Sequence, residues 1–227
     1  MDFNIKPTST IRENNKTQYK KDLKAFESWR KGMSMFVAHN TAEKNPEFRV
    51  EGISCKNCEK WRDELLAVSP IVRFMSEKLR DSGCVFDKRS IKCIECDEDR
   101  SGGFNPEVGI ELCHNKMPSK TVMEDTMAHE MIHAYDHCNF NVNWFNLEHH
   151  ACTEIRAASL SGDCRWIREV GRGVFGFIKH HQACVKRRAI LSVKYNPMCK
   201  SEKEAEIAVN KVFKSCFNDT QPFDEIY

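Results

Sequence analysis

Apolar side chains recur at helical spacing along most of this chain and at alternating spacing over one short central segment. Between residues 58 and 80, Trp61, Leu65, Leu66, Ile71, Phe74, Met75 and Leu79 fall on a common helical face. Pro70 has no N–H to lose and suits a first helical turn, so the pattern predicts two helices broken at Ser69, the second ended by Gly83. Met123, Met127, Met131 and Ile132 continue the same period over residues 121–138, which no glycine or proline interrupts. Thr121 followed by Glu124 reads there as a capping box. Further helices are predicted over residues 146–160, stopped by Gly162 and Asp163, over 176–194, and over 201–217, where Ser201 and Glu204 form a second cap. Near the start, residues 20–39 carry Trp29, Met33 and Phe36 on one side of another helix.

The period changes to two in Ile91-Lys92-Cys93-Ile94-Glu95-Cys96 and again over residues 108–113, while Gly102-Gly103 and Asn105-Pro106 carry turn chemistry. These features predict a small antiparallel sheet directly before the helix at 121–138. Residues 109–115 are the expected edge strand, able to take an extended peptide through main-chain hydrogen bonds. The fold class is then α+β and helix-rich. Residues 1–50 form a leader with one helix and a linker, and residues 51–227 form one domain.

Composition narrows this further. The chain has 227 residues, 41% of them hydrophobic, enough for one substantial core. A formal charge of +2 gives no field that would recruit nucleic acid, and none is expected as a partner. Asp2, Glu13, Asp22 and Glu27 argue against a secretory signal, and no run of about 18 apolar residues occurs, so a soluble or peripherally attached protein is expected. Twelve cysteines are many for such a chain. Cys55/Cys58 and Cys93/Cys96 are C-x-x-C pairs, open to a four-thiolate zinc site, to disulfides, or to reduced core cysteines.

The strongest chemical signal is His129-Glu130-Met131-Ile132-His133. Side chains four apart on a helix point the same way, so His129 and His133 can hold one metal ion, and Glu130, about 100° round the axis, can take a proton from metal-bound water. A catalytic zinc keeps three protein ligands and one open position. Asn139 stands where one zincin class has its third histidine, and Asp136 stands where another requires glycine. The remaining scheme takes a glutamate from a second helix about 20 residues on, and Glu154 fits, with small Ala157 and Ala158 beside it. His150 and Asp136 stay open as rival ligands. Asp136 could instead orient a ligating histidine, and an ion pair with Arg156 is the plain structural alternative for Glu154. His149, His150 and Tyr195 are candidates to stabilise an oxyanion.

The run from Met123 to His137, then His149-His150-Ala151-Cys152-Thr153-Glu154-Ile155-Arg156-Ala157, Leu160 to Trp166 and Cys216 to Tyr227, resembles the mitochondrial inner-membrane metalloprotease and ATP-synthase assembly factor family. The resemblance spans about residues 55–227. It implies a zincin-like (gluzincin-like) metalloendopeptidase of the intermembrane space, peripheral to the inner membrane. Its implied partners are the precursor of ATP synthase subunit 6, whose presequence it removes, and the assembly intermediates of that enzyme's membrane sector. An import oxidoreductase that folds the chain oxidatively would account for the cysteines. His129, Glu130 and His133 match the family's metal and catalytic positions, and the implied cofactor is Zn2+. The alternatives are an assembly chaperone without proteolysis and a nuclear accessory of DNA end joining, since human relatives were linked to such a factor. Gly171-Arg172-Gly173-Val174-Phe175-Gly176 mimics a dinucleotide fingerprint but follows no strand and reads as a loop; Lys186-Arg187-Arg188 reads as a solvated helix face.

Overall fold

Serine caps set the helix starts. In the computed structural model, which describes residues 52–97, 100–164 and 180–224, the Ser54 hydroxyl accepts from the Asn57 N–H and opens α1 (Cys55–Val68). The Ser69 hydroxyl does the same for the Val72 N–H and, with Pro70 in the first turn, opens α2 (Pro70–Asp81). The break expected at Ser69 is therefore present, and α1 begins three residues earlier than its apolar stripe. The helix expected over 20–39, Trp166 and the 171–176 loop lie outside the described residues.

Three short strands follow: β1 (Ile91–Ile94), β2 (Gly102–Asn105) and β3 (Gly109–Cys113). Their order is β1-β3-β2, with β1 parallel and β2 antiparallel to β3. The sheet is thus mixed rather than wholly antiparallel, and the strand expected at the edge is central. The error came from β2, whose Gly102-Gly103 reads as a turn. Packing explains the glycine, since a Cβ on Gly102 would lie 2.7 Å from the Thr126 methyl and 2.8 Å from the Glu111 carbonyl oxygen. The true turn is Pro106–Val108, held by Asn105 Oδ1 accepting from the Glu107 and Val108 N–H groups. Gly109 completes it at φ +95°, with the Ser90 carbonyl where a Cβ would be. The outer edge of β1 is covered by α1: Arg62 Nη1 donates to the Ile91 carbonyl at 3.1 Å and Cys55 Sγ lies 3.8 Å from the Cys93 carbonyl. No strand among the described residues pairs with the outer edge of β2.

The long helix α3 (Lys120–Asn139) is capped by Ser119, which accepts from the Val122 N–H; Thr121 lies inside its first turn rather than at the cap. Asn146 caps α4 (Leu147–Leu160) through the Glu148 and His149 N–H groups. Two more helices, α5 (His180–Lys194) and α6 (Glu202–Asn218), stand where expected, the latter opened by Ser201.

Two cores result. Met75, Leu79, Ile110, Leu112, Met127 and Met131 centre the first, between α1, α2, the sheet and α3. Ile155, Cys184, Val185, Val193 and Val209 centre the second, between α4, α5 and α6. Ala157, Leu160 and Phe223 cross over into the first core, and Phe223 stacks on Phe74 with ring centroids 4.8 Å apart. Cys58–Cys93, Cys84–Cys138 and Cys96–Cys113 tie the sheet half, while Cys152–Cys216 and Cys164–Cys184 tie the helical half. The C-x-x-C pairs are therefore split among disulfides and form no four-thiolate site; Cys55 and Cys199 are free thiols. Each bridge contributes about 2–4 kcal/mol by restricting the unfolded chain. Among the described residues no helix is long and apolar enough to cross a membrane. The basic cluster on α5 is divided, with Arg188 paired to Asp163 at 2.5 Å and Lys186 over the Phe213 ring.

Candidate metal centre

The two histidines of α3 leave the same face of one helical turn, and their rings meet edge to face with centroids 4.8 Å apart. Helix α4 packs on α3 through fully buried Ala157 and so brings Glu154 against them. The Glu154 carboxylate lies 3.8 Å from His129 Nε2 and 3.6 Å from His133 Nε2. One ligand atom from each of the three residues falls within 4.8 Å of the others. Ligand atoms about 2.0–2.1 Å from a tetrahedral zinc are about 3.4 Å from each other, so this spacing suits that ion with little adjustment. Glu130 is half-buried on the next position of α3.

The outward ring atoms are also engaged. His133 Nδ1 lies 2.9 Å from Thr153 Oγ1, and the Thr153 hydroxyl bonds to the Asp136 carboxylate. That hydroxyl spends its proton on the carboxylate and so accepts from His133 Nδ1–H, which leaves the Nε2 lone pair facing Glu154. His129 Nδ1 is 3.9 Å from the Asp163 carboxylate, brought round by Gly162 at φ +88°. Asp136 is thus no member of the three-residue cluster, and the orienting role considered for it runs through Thr153. Arg156, weighed as a partner of Glu154, instead bonds Asp136 at 3.0 Å, Asp219 at 2.7 Å and the Gln221 carbonyl.

His150 also stands apart from the cluster. It is fully buried, with Nε2 3.3 Å from Glu154 Oε1 and Nδ1 3.2 Å from Asn196 Nδ2. His149 Nδ1 accepts from the Asn143 N–H in the loop before α4. Trp144 of that loop is edge-on to His133 and His150, at 5.9 and 6.2 Å, and continues to Phe104 of β2. Sequence reasoning passed over Thr153, Asp163, Trp144 and Asn196. Thr153 alone carried a readable signal, being the neighbour of a proposed ligand on a helix facing α3.

Burial lowers His133 to about 3, so the ring is neutral, as a ligand must be. Burial opposes ionisation of Glu154 too, but the hydrogen bond donated by His150 favours the carboxylate, which is held below its ordinary range. Burial pushes Asp136 up to about 6 against the pull of Arg156 and Thr153. Two imidazole nitrogens and one carboxylate converge in a largely water-excluded seam, the donor set of a hydrolytic metal centre.

The Peptidase M76 family model matches residues 56–224. The chain is 51% identical over 210 residues to a "Mitochondrial inner membrane protease atp23" of Aspergillus clavatus, covering 89% of each chain. It is 52% identical over 207 residues to a protein of that name from Aspergillus niger, covering 88% of this chain and 87% of the relative. A Yarrowia lipolytica relative, again named mitochondrial inner membrane protease, is 44% identical over 209 residues, covering 89% and 84%. No solved structure matches.

Proposed function

The chain belongs to the peptidase M76 family, and on that premise we propose that it is a zinc-dependent endopeptidase of the mitochondrial intermembrane space, peripheral to the inner membrane. The observation that carries this reading is the convergence of His129, His133 and Glu154 beside Glu130. Zinc, when bound, supplies the Lewis acidity that polarises a scissile carbonyl and acidifies a water. His129 and His133 would hold it through Nε2, with Asp163 and Thr153 behind their Nδ1 atoms, and Glu154 would offset part of its charge. Glu130 takes the water's proton and returns it to the leaving amine. Trp144 screens one side of the site from solvent. The outer edge of β2, the strand lying against α3, offers main-chain groups to an extended peptide.

The substrate we assign is the precursor of ATP synthase subunit 6, cleaved at its presequence, and the partners include intermediates in assembly of that enzyme's membrane sector. The names of the relatives support an inner-membrane protease, and five disulfides suit oxidative folding by an import oxidoreductase. Glu130→Gln tests the reading: zinc content and fold should persist while cleavage falls by several orders of magnitude. Undiminished cleavage by a zinc-loaded variant would reject it. Normal assembly of the membrane sector with unprocessed precursor in cells carrying this variant would assign assembly to a second, non-proteolytic activity.

A further inference from the structure

Asn196 lies far from the H-E-x-x-H run, in the turn after α5, yet it is only 2% exposed and points into the wall behind Glu154. Its amide has one possible orientation. Oδ1 accepts from the Met198 N–H at 3.0 Å, and Nδ2 donates to the Trp144 carbonyl at 2.8 Å; reversing the amide would set donor against donor and acceptor against acceptor. The second Nδ2 proton is thereby directed at His150 Nδ1, 3.2 Å away. A ring nitrogen that accepts cannot also carry a proton, so the neutral His150 ring must hold its proton on Nε2. That atom is 3.3 Å from Glu154 Oε1 and donates to it.

We propose that Asn196 is a positioning residue for the metal centre: by fixing which His150 nitrogen bears the proton, it makes His150 a donor to Glu154 Oε1, which holds the carboxylate turned toward His129 and His133. The proposal rests on the zinc reading of the site and deepens it. It also gives a reason why His150, although four residues from Glu154 and on the same face, is no ligand: its Nε2 lone pair is spent on an N–H bond. Without Asn196 the His150 proton is free to move to Nδ1, and two acceptors, Nε2 and Oε1, would face each other beside the ion. The carboxylate would then turn away from His129 and His133. Partners that orient a ligand in this way are worth about 10–100-fold in metal affinity.

The test measures zinc affinity by chelator competition and the His150 tautomer by nitrogen NMR on the oxidised full chain. The wild-type ring should be in the Nε2–H form, and Asn196→Leu should weaken zinc about 10–100-fold. Asn196→Ala, which adds no bulk, serves if Asn196→Leu fails to fold; with no donor of its own it should release the preference for the Nε2–H form and weaken zinc likewise. His150→Gln supplies a side-chain amide donor to Glu154 that has no tautomer to choose, so in that background the Asn196 effect should disappear. An Asn196 effect that persists in full there would overturn the relay and leave Asn196 a structural residue. Wild-type affinity in the Asn196 variants, or an Nδ1–H ring in the wild type, would also overturn it. A wild-type chain that takes up no zinc would instead remove the metal-centre reading, and the relay with it.

Discussion

The sheet half and the helical half of this molecule are built by different means and share one site. In the sheet half, a mixed sheet and three helices enclose a methionine-rich core and three disulfides. In the helical half, three helices pack small and β-branched residues around two disulfides. No disulfide among the described residues joins the halves. Where they meet, cohesion comes from Phe223 on Phe74, from Ala157 and Leu160, and from the buried pair of Arg156 with Asp136. The candidate metal ligands divide the same way, with His129 and His133 from one side and Glu154 from the other. Covalent strength lies within each half, and chemistry lies between them.

Four substitutions and one metal-removal experiment probe that division. Arg156→Met should cost most, about 3–5 kcal/mol in guanidinium unfolding with disulfides intact, because it strands the buried Asp136 carboxylate and frees the Asp219 and Gln221 carbonyls. A loss under 1 kcal/mol would mean that the seam does not depend on this pair. Chelation should come next: for a two-sided site, zinc at a thousandfold its Kd adds about 4 kcal/mol, and Glu154→Ala should abolish most of that increment. An unchanged increment in Glu154→Ala would place the metal wholly on the sheet half. Phe223→Leu should cost about 1–1.5 kcal/mol by loosening the stack on Phe74. Lys211→Ala removes an exposed ion pair to Glu148 inside the helical half and should cost about 0.5 kcal/mol or less. If the last two are reversed in size, the seam is softer than its packing indicates.

The helices were legible because their signals are local. Ser69-Pro70, Ser201 with Glu204, and Gly162 each act on the turn they occupy, and each stands where the sequence put it. The sheet was legible only in part. Nothing local in Gly102-Gly103 reveals a strand, since its reason for being glycine is the Thr126 methyl 24 residues on. With β2 missed, β3 became an apparent edge and the mixed pairing could not be inferred. At the site, the helical spacing brought His129 and His133 together and the second-helix rule brought Glu154. The choice among Glu154, His150 and Asp136 depended on partners that the sequence leaves distant, Asn196 for His150 and Arg156 for Asp136. Spacing within one helix is readable, whereas the far end of a hydrogen bond is not.

That bridges respect the seam has a consequence for the timing of activity. No bridge requires a cysteine of the other half, and until α4 docks on α3, His129 and His133 have no carboxylate from α4 beside them. The cluster of His129, His133 and Glu154 is then completed last, only when the halves dock. A molecule oxidised in one half alone would lack the assembled cluster.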